Sequence, residues 1–177
     1  NPDAILFYRL GDFYEMFFED AKLVSQELDL VLTGRSAGVE EKVPMCGVPF
    51  HAANSYIQRL VKKGYKVAIC EQLEDPSTAK GLVDRGIIKI ITPGTYMDAT
   101  MDAKSTNYMA SCDVSSFEIT VIYCELSTGE LKYQTLQRSL VALQKALLEQ
   151  NVSELVCPMT MDKKWMAALE EMDTMLI

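Results

Sequence analysis

The sequence predicts an α+β fold with a mixed sheet in its first half and a partial α/β block in its second. Three observations carry this expectation. Runs rich in β-formers, AILFYRL at 4–10, FYEMF at 13–17 and YKVAICEQL at 65–73, are separated by Gly, Pro and Asp turn signals. Segments with apolar residues at helical spacing fall between those runs, which mixes hairpins with helices. Beyond Pro93-Gly94 the order changes to three strands followed by helix, strand and helix.

The elements follow in chain order. AILFYRL and FYEMF flank Gly11-Asp12 and form a hairpin. Alternation along a strand puts Phe13, Glu15 and Phe17 on one face and Tyr14 and Met16 on the other. Asp20 is placed to cap a helix running to about residue 30, with Leu23, Val24, Leu28 and Leu30 as its apolar stripe. LTGRSAGVEEKVPMCGVPFHAA reads as a long loop broken by glycine and proline, after which Asn54 caps a second helix ending at Gly64. YKVAICEQL and GIIKIITPG are strands, joined through the turn EDPSTAKG and the short segment LVDR. TYMDATMDAKST is polar and suits a linker. NYMASC, FEITVIYCEL and ELKYQTL then form three strands, with Ser127-Thr128-Gly129 as a tight turn. An amphipathic helix from Ser139 to about Gln150, a short strand ELVCP and a helix around DKKWMAALEEM complete the series. The order β-β-β-α-β-α begins a ribonuclease H-like α/β domain and leaves it unfinished.

Composition bounds the function. With 177 residues, 49% hydrophobic and 24% charged, the chain can bury the core of one compact domain or two small ones. No apolar run approaches the ~20 residues that span a bilayer, and NPDAILFY lacks the basic region and cleavage site of a signal peptide. These features read as a cytoplasmic protein with no membrane partner. The absence of an initial Met and the apolar end DTMLI read as a piece of something longer. Cys46, Cys70, Cys112, Cys124 and Cys157 are odd in number and nowhere spaced C-x-x-C, which points to reduced, mostly buried thiols. A net charge of −8 argues against a protein that holds nucleic acid mainly by neutralising phosphates. The charge is uneven, however. Residues 35–89 carry nine Lys and Arg against six Asp and Glu, and residues 101–177 carry six against eleven, so any contact with a polyanion belongs to the first half.

FYRLGDFYEMFFEDA, VPMCGVPFHA, VAICEQLEDP, AKGLVDR and IITPGT occur in that order, and together they resemble the amino-terminal mismatch-recognition domain of the MutS family of DNA mismatch-repair proteins. The match runs from about Ile5 to Thr95. The resemblance implies a recognition domain over 1–95, a linker over 96–106 and, over 107–177, the first part of a connector domain with a ribonuclease H-like fold. It also implies a larger protein that works as a dimer, binds double-stranded DNA carrying a mispair or small loop, and engages a MutL-like repair protein. That protein uses ATP and Mg in a carboxy-terminal part. No G-x-x-x-x-G-K-[ST] loop occurs here, so neither cofactor nor catalysis is expected of this segment.

By motif match, Phe13 is the ring that enters the minor groove and stacks on a mispaired base, and Glu15 is the carboxylate that hydrogen-bonds it. The physics is independent of the family. A wedge between base steps must overcome a few kcal/mol of unstacking, and a mispair has already lost part of its pairing energy. Stacking tolerates any base, because every base has a π-face. Pattern alone would read Phe13 as a packing ring beside a solvated charge; the surrounding motifs favour DNA contact. Arg35, in a glycine-flanked loop, and Arg85, after KGLV, match basic DNA contacts of the family, with solvated surface arginines as the alternative. Lys80 and Lys89 match more weakly. Tyr14 is expected in the core.

Other constellations carry less. His51, the single histidine, and Cys46 form no nucleophile–base pair with an orienting third group. The ten Met residues show no metal-binding spacing and suit core filling. Asp113 and Glu118 flank strand ends in the second block without a two-metal constellation. Two function classes remain: a nucleic-acid-binding module, and a protein-interaction scaffold without DNA contacts. An exposed Phe13 ring favours the first and a buried one the second.

Overall fold

The structure is a computed structural model that describes residues 3–36, 42–74, 81, 83–96, 107–172 and 174–177. The chain forms two compact units, Asn1–Thr92 and Pro93–Ile177. Among the described residues no helix is long and apolar enough to cross a membrane.

The first unit is α+β. Its strands are β1 (Ala4–Leu10), β2 (Phe13–Phe17), β3 (Thr33–Arg35), β4 (Val43–Pro49), β5 (Lys66–Gln72) and β6 (Arg85–Ile91). They form one mixed sheet in the order β3-β4-β2-β1-β5-β6, in which β1 and β5 run parallel and the remaining neighbours antiparallel. The β1–β2 hairpin is joined by Gly11 and Asp12, and Leu10 faces Phe13. Gly11 has φ 58, the left-handed region that glycine enters without steric cost.

Helices α1 (Phe18–Leu28) and α2 (Ala53–Lys62) touch each other and cover one face of this sheet. They bury Ala21, Val24 and Leu28, and Ala53, Ile57, Leu60 and Val61, against Ile5, Phe7, Tyr14, Met16, Cys46, Val48 and Val67. Burial in β2 alternates as the strand period requires: Tyr14 and Met16 are buried, while Phe13, Glu15 and Phe17 lie on the less covered face.

Three local expectations are corrected. Asp20 does not cap α1; the helix begins at Phe18 without a side-chain cap, and the Asp20 carboxylate accepts the backbone N–H of Leu6 at 2.9 Å. Asn54 lies inside α2, whose N-terminal boundary residue is Ala52, again without a side-chain cap. The expected loop over LTGRSAGVEEKVPMCGVPFHAA contains β3, β4 and the 3-10 turn Phe50–Ala52. Its prolines fall near the two ends of β4, at Pro44 and Pro49, where a missing N–H interrupts the ladder least.

The second unit contains β7 (Tyr108–Val114), β8 (Glu118–Glu125), β9 (Glu130–Gln137), α3 (Leu140–Glu149), β10 (Val152–Val156), α4 (Lys163–Glu170) and β11 (Met175–Leu176). The sheet order is β11-β10-β7-β8-β9. β7, β8 and β9 form an antiparallel meander, and β10 and β11 run parallel to β7. Ser139 and Asp162 cap α3 and α4 by accepting backbone N–H groups of Ala142 and Lys164. Tyr108, Ile119, Val121, Tyr123, Leu143, Leu147, Leu155 and Leu169 make the core. The start of the unit is held by polar contacts. Glu154 Oε2 accepts the N–H of Gly94 at 3.0 Å, and Asn107 Nδ2 donates to the Pro93 carbonyl at 2.7 Å.

Candidate nucleic-acid interface

The β1–β2 hairpin carries the motif. Phe13 follows the tight turn directly and is 47% exposed, an unusual state for a large ring in a six-stranded sheet. The turn is fixed from two sides: the N–H of Phe50 donates to the Asp12 carbonyl at 2.9 Å, and Arg9 Nε donates to the Gly11 carbonyl at 2.5 Å.

Behind the ring lies a polar cluster. Arg9 stacks 3.9 Å from the Phe50 ring centroid and 5.6 Å from that of Tyr14. Its Nη1 is 3.5 Å from Glu71 Oε1, to which the Tyr14 hydroxyl also donates a short hydrogen bond. Burial, and then the Glu71 carboxylate, push the ionisation of Tyr14 up to about 12. The cluster ties β1 and β2 to β5 and the end of β4, so the platform under Phe13 is braced by charge-assisted bonds as well as by packing.

Glu15 points to the same side as Phe13, and Arg35 Nη1 donates to its Oε2 at 2.8 Å. Arg35 is the last residue of β3 rather than part of a loop. Beside the pair is a cleft of 290 Å³ lined by Tyr8, Leu10, Phe17, Phe18, Arg35 and Val43. Phe18 is 63% exposed and has φ 53. A left-handed backbone costs a bulky residue roughly 1–2 kcal/mol.

The structure brings Phe13, Glu15 and Arg35 onto one part of the sheet. Arg85 is engaged with the chain itself: its Nε donates to the Arg9 carbonyl at 3.0 Å, its Nη1 to the Val83 carbonyl at 2.9 Å, and its guanidinium lies 5.3 Å from the Tyr8 ring centroid. Lys89 is exposed on β6, and Lys80 lies outside the described residues. Cys46 and His51 do not meet. The Cys46 thiol donates to the Ala21 carbonyl at 3.5 Å, burial pushes its ionisation up to about 11, and His51 is exposed beside Phe50.

Sequence reasoning missed the Arg9–Tyr14–Glu71 cluster. A signal was present: Arg9 shares a face with the core residue Phe7, and a cation on a core face requires a partner. Which carboxylate supplies it depends on the β1–β5 pairing, and no local pattern contains that.

Residues 1–100 match the family model described as MutS domain I. The DNA mismatch repair protein MutS of Clostridium botulinum (strain Loch Maree / Type A3) is 53% identical over 162 residues, covering 86% of this chain and 17% of that protein. The DNA mismatch repair protein MutS of Clostridium novyi (strain NT) is 58% identical over 133 residues, covering 75% and 15%. The chain thus spans less than a fifth of these relatives. A family model matching more than half of the chain, together with such relatives, places it in that family: the chain belongs to the MutS family and carries its domain I.

Proposed function

We propose that this chain is the mismatch-recognition part of a DNA mismatch-repair protein, in which Phe13 stacks on a mispaired or unpaired base from the minor groove and Glu15 hydrogen-bonds that base. The observation that carries this reading is the exposed Phe13 ring on a braced hairpin, with Glu15 on the same face and Arg35 beside it. A packing ring would lie on the opposite face with Tyr14 and Met16. Arg35 supplies positive charge at the site, and Lys80 a further backbone contact. Arg85 shapes the hairpin through the Arg9 carbonyl and lends charge nearby.

The first 95 residues form the recognition domain, 96–106 the linker and 107–177 an incomplete connector. The meander β7-β8-β9 with β10 parallel to β7 supports a ribonuclease H-like connector. The whole protein is a cytoplasmic dimer that binds mismatched duplex, uses ATP and Mg in its carboxy-terminal part and engages a MutL-like protein. The short share of its relatives that this chain covers supports placing those activities elsewhere.

The test is equilibrium binding of matched and mismatched duplex by the full-length protein with Phe13 intact or changed to Ala. Stacking of a base on a side chain is worth roughly 1–3 kcal/mol, so Phe13→Ala lowers mismatch affinity by about one to two decades and removes the preference. Retained preference in the variant rejects the reading.

A further inference from the structure

Glu15 and Arg35 belong to strands that are not neighbours. β4 lies between β2 and β3, with Glu15 opposite Gly47 and Arg35 opposite Val43. The arginine therefore reaches across β4 to place Nη1 2.8 Å from Glu15 Oε2. Gly47 keeps room for the carboxylate stem: a Cβ there would lie 3.3 Å from the Tyr14 carbonyl oxygen and 3.5 Å from Glu15 Cγ. The partners are unequally covered. The Arg35 side chain is 50% exposed and that of Glu15 only 18%, so the guanidinium is the outer member of the pair.

This closed pair bears on how DNA is met. An arginine bound to a carboxylate has part of its donor fork committed and its charge offset, and it grips a phosphate less well than a free one. A carboxylate whose Oε2 already accepts from an arginine is likewise less available to a base. Resting on the reading of Phe13 and Glu15 as base contacts, we propose that Glu15 withholds Arg35 from the DNA backbone until a mispaired base takes the carboxylate. Matched duplex then meets the closed pair. Mismatched duplex exchanges it for two contacts, a hydrogen bond between Glu15 and the base and a charge-assisted bond from Arg35 to a phosphate. Base reading and backbone grip are thereby coupled through one ion pair, and Arg35 is a determinant of specificity as well as of affinity.

The coupling makes Glu15 act on matched DNA through Arg35, which separates it from direct repulsion between carboxylate and phosphate. The experiment is a double-mutant cycle in the full-length protein. Matched and mismatched duplex affinities are measured against salt for the wild type, Glu15→Gln, Arg35→Gln and the double variant. Glu15→Gln is expected to raise matched-duplex affinity about two- to fivefold, the scale of a partly exposed charge pair. In the Arg35→Gln background the same change leaves it unmoved, and in an Arg35→Lys background, which keeps the charge, a rise returns. The wild type loses about one more phosphate contact's worth of salt dependence on matched than on mismatched duplex, and Arg35→Gln abolishes that difference. An equal rise on Glu15→Gln with and without Arg35 overturns the proposal and leaves direct repulsion in its place. A wild type without any mismatch preference rejects the underlying reading and this proposal with it, whereas preference combined with an additive cycle rejects only this proposal.

Discussion

At the scale of residues, the site depends on a tyrosine that sequence alternation assigned to the core. Tyr14 is 8% exposed, and its ring lies 6.0 Å from that of Phe7, but its hydroxyl serves Glu71, which Arg9 also holds. Tyr14→Phe keeps the ring contact and deletes one donor to that carboxylate. The expected loss is about 1–2 kcal/mol in urea unfolding at neutral pH. The pH dependence follows from the direction of the shift. A folded-state ionisation near 12, against an ordinary value near 10, means that the neutral hydroxyl stabilises the fold fully below pH ~10 and that this contribution is lost as pH rises through 12. In Tyr14→Phe the loss of stability over that alkaline window is smaller than in the wild type. Equal alkaline profiles for the two proteins would remove Tyr14 from the bracing cluster.

At the scale of elements, the turn between β8 and β9 shows a short segment completing its own polar contacts. The Glu125 carboxylate accepts from the Ser127 hydroxyl at 2.8 Å and from the Thr128 N–H and hydroxyl at 2.7 and 2.6 Å, and Gly129 follows with φ 74. The hydroxyls of Thr128 and Ser127, with the backbone N–H groups, hold the Glu125 carboxyl down at about 2. A lowered value stabilises the fold above the ordinary carboxylate range near 4.3, and the contribution disappears as pH falls from there towards 2. Glu125→Gln is therefore expected to lower thermal stability at pH 7 and to leave it nearly unchanged at pH 2. A constant difference across that range, followed by circular dichroism, counts against the capping role. Ser127-Thr128-Gly129 was legible as a turn, and the helix starting at Ser139 was legible too, but the capping roles of Ser139 and Asp162 emerged only with the structure. Asp20 has the same chemistry as those caps but was claimed by Leu6 on a strand. Local propensity names what a side chain can do, and tertiary pairing selects among the options.

At the scale of the whole molecule, charge limits what the chain does alone. Its net charge is −8, and part of the positive charge at the site is already paired: Arg35 with Glu15, and Arg9 with Glu71. Non-specific DNA affinity comes mainly from phosphates neutralised and counterions released, and few are offered here. The 177-residue chain by itself is expected to bind duplex only weakly at physiological salt, with little difference between matched and mismatched sites, as read by fluorescence anisotropy. A tight mismatch-selective complex of the isolated chain would show that the remaining domains are not needed for grip.

The two-residue period of a strand was enough to put Phe13 and Glu15 on one face and Tyr14 and Met16 on the other, because alternation is a property of the backbone. The same kind of local rule supplied the first hairpin, the three successive strands β7, β8 and β9 and the α+β character of the first unit. Strands β3 and β4 were not legible, since a stretch rich in glycine and proline has turn-forming preferences by itself. It becomes a strand because β2 presents a free edge to β4, and β4 then offers one to β3. The ion pair of Arg35 with Glu15 exists only once that pairing has formed, and the cluster of Arg9, Tyr14 and Glu71 only once β5 lies against β1. Contacts between residues 20 to 62 positions apart are set by the register of the sheet, which depends on burying the whole apolar face at once and is written in no single segment.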